Sequence, residues 1–197
     1  MPRFPTGPQP VVLLSGRFQP FHPGHYQSYR WLCDRFGPDA VWLGTSDRAA
    51  RVKDSAARPA PLNFDEKRAI ITGLFDIAPE RVVCVASPYR PVELLSRFDP
   101  ESAAYVAAMG EKDGARLAGR PYFRSLPDSG PLEPYRVRGY VQLVPTGDFP
   151  LSASEIRARF QAGDEAALAA DLQSWYGDGD PALFALMRAR FGCGVGV

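Results

Sequence analysis

The feature that most limits what this chain can fold into is an alternation of short apolar runs with segments of helical periodicity. Val11-Val12-Leu13-Leu14-Ser15-Gly16, Ala40 to Gly44, Arg81 to Ser87, Ala103 to Met109 and Gly139 to Val144 read as five short strands. Between the first two, Tyr29, Leu32, Cys33 and Phe36 recur at helical spacing until Gly37-Pro38 stops the helix. Asn63 followed by Glu66 is a capping pair for a second helix with Ile70, Ile71, Leu74 and Phe75 on its apolar face. Pro91 opens a short third helix. Glu165 to Phe191 reads as two more, the last starting at Asp180-Pro181. Strands alternating with helices predict an α/β fold: a Rossmann-like parallel sheet of about five strands, flanking helices and a short helical C-terminal tail. In such sheets ligands bind beyond the carboxyl ends of the strands. The expected organisation is a flexible, proline-rich leader over residues 1–10, one domain over 11–162, and a helical extension of that domain over 163–197.

Composition removes several function classes. With 23 basic and 22 acidic residues, bulk charge gives no footprint for nucleic acid or a membrane surface. No stretch is long and apolar enough to span a bilayer. Cys33, Cys84 and Cys193 are odd in number and far apart, which predicts reduced thiols and a cytoplasmic protein. The cysteines show no metal-type spacing, and no protein metal ligand is assigned, with Asp113 as the one candidate.

Chemistry concentrates at two places. Only two histidines occur, and both lie in His22-Pro23-Gly24-His25, between the first strand and the first helix. A helix start there would offer backbone N–H groups and a positive dipole end, and two imidazoles one turn apart can donate to phosphate oxygens. Gly24 lets backbone and ligand approach closely. A pair of capping or surface histidines is the plainer alternative. The second place is Ser152-Ala153-Ser154-Glu155, a capping box, with Arg157 one turn beyond Ser154 on the same face. It is either a second anion cradle or a well-made helix start. As a cradle residue, Arg157 is expected to bear on the ligand rather than on stability.

Together, Gly16-Arg17-Phe18-Gln19-Pro20-Phe21-His22-Pro23-Gly24-His25 and Leu151-Ser152-Ala153-Ser154-Glu155-Ile156-Arg157 resemble the nucleotidylyltransferase superfamily. The run from Arg17 to Phe21 is most similar to nicotinamide-mononucleotide (NMN) adenylyltransferases of the archaeal and bifunctional bacterial kind. The resemblance implies an enzyme that joins an NTP to a phosphorylated small molecule and releases pyrophosphate with Mg²⁺, most simply ATP and NMN giving NAD. It implies His22, His25 and Arg157 as catalytic residues. Gly16, Arg17, Phe18, Gly24, Ser152, Ser154, Lys112 and Asp113 would bind the nucleotide, the last two in a Gly110-Glu111-Lys112-Asp113 turn similar to the family's. Asn63 to Arg68 is similar to a further family segment, with its proline missing and a lysine inserted into the pattern.

The acceptor side is read from loops. The polar stretch from Asp47 to Pro61 holds Arg51 and Lys53, with Arg58 as an alternative. The stretch from Gly110 to Arg138 holds Tyr122, Phe123, Tyr135 and several arginines, including Arg136, a mix able to stack a ring and pair a phosphate. Arg51, Lys53, Tyr122 and Arg136 are the expected substrate contacts. Phosphopantetheine, FMN, and phosphorylated alcohols or sugars with CTP remain alternative substrates, and a non-catalytic nucleotide sensor remains an alternative role. A class I aminoacyl-tRNA synthetase fragment shares the histidine signal but lacks the second signature loop and a basic surface. Self-association stays open.

Overall fold

The computed structural model describes residues 7–47, 62–114, 117, 120–145 and 147–192. The chain divides into two compact units. The first contains residues 1–16, 27–46 and 80–147, and the second residues 17–26, 47–79 and 148–197.

The first unit holds the sheet. Its strands are β1 (Gln9–Ser15), β2 (Val41–Thr45), β3 (Val82–Cys84), β4 (Ala103–Met109), β5 (Phe123–Ser125) and β6 (Gly139–Leu143). They lie in the order β3-β2-β1-β4-β6-β5 and every pairing is parallel. This is the expected α/β, Rossmann-like architecture with one more strand. β4 is buried at all seven positions, as a parallel strand covered on both faces requires, and its alanines leave room for close neighbours. One side carries a core of Val11, Leu13, Trp42, Val83, Leu94, Tyr105, Ala107 and Phe123. Val12 pairs in register with Val41 on one side and Val106 on the other, so β1 forms the middle of the sheet.

Two expectations shift. β1 begins at Gln9, inside the stretch expected as leader, with Pro10 opposite Ala104. Proline is tolerated there because the strand is only starting. The sixth strand, β5, lies in the stretch read as a loop. It has three residues, only Phe123 is buried, and it pairs on one side alone, so it leaves no apolar run to detect.

The first helix, α1 (Pro23–Phe36), ends at Gly37, whose φ of 88° suits glycine. One-turn helices α3 (Val92–Leu95) and α4 (Glu111–Gly114) follow β3 and β4 in the chain. Pro91 caps α3 rather than occupying its first turn.

The second unit is helical: α2 (Phe64–Phe75), α5 (Ala153–Gln161), α6 (Glu165–Tyr176) and α7 (Pro181–Phe191). Three starts are fixed as the sequence predicts. Asn63 and Glu66 form a reciprocal capping box, Ser152 and Glu155 another, and Asp180 caps α7 ahead of Pro181. Ile70, Ile156, Phe160, Leu168, Leu172, Met187 and Phe191 close around one apolar core. Among the described residues, no helix is long and apolar enough to cross a membrane.

Gly44 exposes the tightness of the sheet. A Cβ there would lie 2.8 Å from Leu13 Cδ1, in a fully buried core. Gly44→Ala is expected to cost about 1–3 kcal/mol in urea unfolding, the usual scale of overpacking. In a Leu13→Ala background the same change should cost clearly less, and equal costs in both backgrounds would contradict this packing.

Candidate active site

The segment after β1 is shaped by its own backbone demands. Phe18 is buried and has a φ of 48°, a left-handed conformation that costs a non-glycine residue about 1–3 kcal/mol. Surrounding contacts hold it there. The Gln19 side chain donates to the Leu62 carbonyl and accepts from the Leu62 N–H, both at 2.8 Å, so one amide satisfies a whole peptide unit. Tyr176 Oη donates to the Phe21 carbonyl at 3.1 Å, and Phe21 packs edge-on against Phe75.

His22 then starts α1. Its carbonyl accepts the N–H groups of His25 at 2.9 Å and Tyr26 at 3.1 Å, which makes it the N-cap. Its imidazole Nδ1 also accepts the Gly24 N–H at 3.2 Å. The histidine therefore caps its own helix. An Nδ1 that accepts cannot carry the proton, so the neutral ring carries it on Nε2, as a donor. Pro23 has no N–H to offer, and those of Gly24, His25 and Tyr26 are all bonded to His22. This corrects the expectation that the backbone amides at this helix start are open: His22 engages them itself.

Both imidazoles are held neutral. Burial pushes the His22 pKa down to about 4. Burial, followed by the charge of His22, pushes His25 down to about 3. The ring centroids are 3.8 Å apart, and His25 also touches Phe18 and Phe21. His25 Nδ1 is buried and has no hydrogen-bond partner among the described residues. His22 also stacks on Phe149, with ring centroids 5.4 Å apart.

The second motif belongs to the same unit. The Ser152 hydroxyl accepts the Glu155 N–H at 3.3 Å and donates to the Glu155 carboxylate at 2.7 Å, so the cap engages it fully. Those hydrogen bonds from Ser152 hold the Glu155 carboxyl below its ordinary range. The N–H groups of Ala153 and Ser154, at the first two helical positions, have no partner among the described residues. Arg157 Nη1 donates to the Gln19 carbonyl at 2.6 Å and to the Ala153 carbonyl at 3.2 Å, and Nη2 donates to Ser154 Oγ at 3.0 Å. Arg157 is thus tied to the backbone of the histidine segment, a structural duty that the sequence did not suggest.

The expected site residues divide between the two units. Arg17, Phe18, His22, Gly24, His25, Ser152, Ser154 and Arg157 fall in the second. Gly16, Lys112, Asp113, Tyr122 and Arg136 fall in the first. The Gly16 N–H donates to the Gly44 carbonyl at 3.0 Å. Lys112 and Asp113 lie on α4, and their side chains are outside the described residues, as are Arg51, Lys53 and Arg58. Tyr122 Oη donates to the Tyr135 carbonyl, and Arg136 is paired with Glu101. Two contributors were given no individual role: Gln19, read only as part of the motif, and Phe149, because their partners are 43 and 127 residues away in sequence. In the same unit, Lys67 lies three and four residues before Ile70 and Ile71 on the apolar stripe of α2 and is only 2% exposed.

The cytidylyltransferase-like family model matches residues 13–159, a span that takes in both motifs. No curated protein sequence matches the chain significantly. Among solved structures, the nicotinic acid mononucleotide adenylyltransferase of Plasmodium falciparum, complexed with NaAD, superposes with a TM-score of 0.54 at 12% identity. That match covers 90% of this chain and 93% of the other. A bifunctional NMN adenylyltransferase/ADP ribose pyrophosphatase from Francisella tularensis superposes with a TM-score of 0.53 at 16% identity. The match covers 91% of this chain but only 50% of that one, so this chain spans half of the bifunctional protein. At these identities the likeness establishes a shared fold.

The neutral histidines have a thermodynamic consequence. Unfolded, each has an ordinary value of 6.5, and folded, each binds a proton far less readily. The stability tied to their neutrality is complete above about pH 6.5 and is lost as pH falls toward 4, by up to about 1.4 kcal/mol per pH unit for each ring. Urea unfolding between pH 7 and pH 5 should therefore show a slope that His25→Gln reduces. An unchanged slope in that variant would contradict a neutral, buried His25.

Proposed function

Because this chain belongs to the cytidylyltransferase-like family, we propose that it transfers a nucleotidyl group, first of all the adenylyl group of ATP, to a phosphorylated small molecule with release of pyrophosphate. NMN is the leading acceptor, supported by the run from Arg17 to Phe21. The observation that carries the reading is the donor set of the second unit. It comprises two imidazoles kept neutral, one with its proton fixed on Nε2, the two open N–H groups that begin α5, and the Arg157 guanidinium.

Such a set suits a triphosphate. An acceptor phosphate oxygen attacks the α-phosphorus in line, a new P–O bond forms, and the bond to the bridging oxygen of the β-phosphate breaks as pyrophosphate departs. The reaction needs no covalent intermediate on the protein. It needs the phosphates held in line and the charge on their oxygens met by fixed donors. A neutral imidazole donates without having to lose or gain a proton, so its contribution stays constant over the physiological pH range. Arg157 supplies a permanent charge, and its bonds to Gln19 and Ser154 preset the direction of its fork.

Mg²⁺ is part of the same proposal. Among the described residues there is no group of three or more His, Cys, Asp or Glu able to hold a metal ion. The donors at the candidate site fit a cation that is carried on the triphosphate, with His22, His25 and Arg157 holding phosphate oxygens instead of metal. When bound, Mg²⁺ would neutralise part of the phosphoryl charge.

The family description names cytidylyl transfer, so the second reading is CTP as donor; a phosphorylated alcohol or sugar would then be the acceptor. Pyrophosphate release measured over a panel of NTPs and phosphorylated acceptors decides between them. The expected result is release with ATP and NMN. Binding of ATP with no release for any pair would mean a nucleotide sensor. In the productive pair, His22→Ala and His25→Ala are each expected to cut turnover by about two to three orders of magnitude, the scale of losing one transition-state donor. Near-normal turnover in either variant would contradict the phosphate role of that ring.

A further inference from the structure

We propose that Phe149 is a positioning residue for His22: its ring clamps the plane of the imidazole and covers the hydrogen bond between Nδ1 and the Gly24 N–H. The proposal deepens the functional reading above and rests on it for its catalytic consequence.

His22 packs against two rings. One is His25, with centroids 3.8 Å apart and planes tilted by 35°. The other is Phe149, stacked on the imidazole 5.4 Å away and within 27° of parallel. Of these two neighbours one is titratable and one is not. Phe149 also lies close to the glycine whose N–H the imidazole accepts. A Cβ built on Gly24 would lie 3.4 Å from Phe149 Cβ and 3.1–3.2 Å from His22 Cε1 and Nδ1. Gly24, the imidazole and the start of the Phe149 side chain are thus closely packed around the capping bond.

That placement matters because the capping bond is modest on its own. At 3.2 Å it is a long N–H to nitrogen contact, and water with access to Nδ1 would compete for it. An apolar ring against the imidazole excludes that competitor and penalises the charged form, the condition under which Nδ1 remains an acceptor and Nε2 the donor. Rotation of the imidazole plane is opposed by the same contact. Phe149 lies three residues before Ser152, the cap of α5, so the residue that fixes the first motif belongs to the strand of chain that leads into the second. Simple filling of the apolar core, which Phe149 borders, would demand hydrophobic volume but not a ring.

The test uses the fact that the chain has only two histidines, so imidazole nitrogen spectra contain two sets of signals. In the wild type, His22 should be neutral with its proton on Nε2 across pH 5–8. In Phe149→Ala it should show mixed tautomers and a pKa raised by about one unit or more, while His25 moves less. Turnover in pyrophosphate release should fall about tenfold while KM for the triphosphate changes less than about twofold, the signature of misplacement rather than lost binding. Phe149→Tyr, which keeps the ring, should restore both. If Phe149→Ala does not fold, Phe149→Leu is read in its place, since it keeps apolar volume and removes the ring. His22 tautomer and titration unchanged in the folded variant would overturn the proposal, whatever happens to stability. If the wild type released no pyrophosphate with any substrate pair, the functional reading would fail, and the His22 signals would still decide the role of Phe149.

Discussion

A histidine that caps its own helix sets the character of this molecule. Because His22 Nδ1 accepts the Gly24 N–H, the ring must be neutral and its proton must lie on Nε2. Protonation at low pH would convert the acceptor into a donor, so the helix start and the charge state of the ring are one property. Burial enforces the same state, as does the second imidazole 3.8 Å away, because two adjacent positive rings would repel. The spacing His-Pro-Gly-His acquires a physical reason at each position. The first histidine caps, proline fills a position with no N–H to satisfy, glycine leaves room for the ring, and the second histidine completes the pair.

The rest of the candidate site is organised around holding that segment still. Gln19 replaces backbone pairing with its side chain, binding both polar groups of Leu62, next to the cap of α2. Its own carbonyl accepts from Arg157, one turn into α5. A left-handed Phe18 and the buried Phe21 complete the turn. Arg157 therefore serves two ends: it anchors the loop through Nη1 and presents charge beside Ser154. The two helix starts also differ in kind. α1 is closed by its own histidine, while α5 has two first-turn amides with no partner among the described residues. Side-chain donors at one and backbone donors at the other are complementary ways to meet a polyanion.

Legibility in the sequence followed the range of the interaction concerned. Capping boxes at Asn63 and Ser152 span three residues, and both formed as read. β4 was plain because seven consecutive apolar residues have few alternatives in a parallel sheet. β5 was invisible, being a three-residue edge strand with one buried side chain. At the site, the sequence reading left the amides at the start of α1 open, whereas His22 itself engages them. The capping geometry of an imidazole depends on a rotamer, which no spacing encodes. Gln19 and Phe149 act through partners brought close only by the fold. Lys67 on the buried stripe of α2 was a readable anomaly, since lysine is almost never fully buried.

The central claim is that two neutral imidazoles and the start of α5 form one anion cradle. Titrating pyrophosphate into protein labelled with ¹⁵N tests it most directly, through the two histidine side chains and the amides of Ala153 and Ser154. The account predicts that His22 and His25 ring signals and those two amides shift together along one saturable curve near pH 7, with both rings still neutral at saturation. It would be contradicted by shifts confined to exposed lysines and arginines with the imidazoles unmoved, or by rings that become protonated as the anion binds.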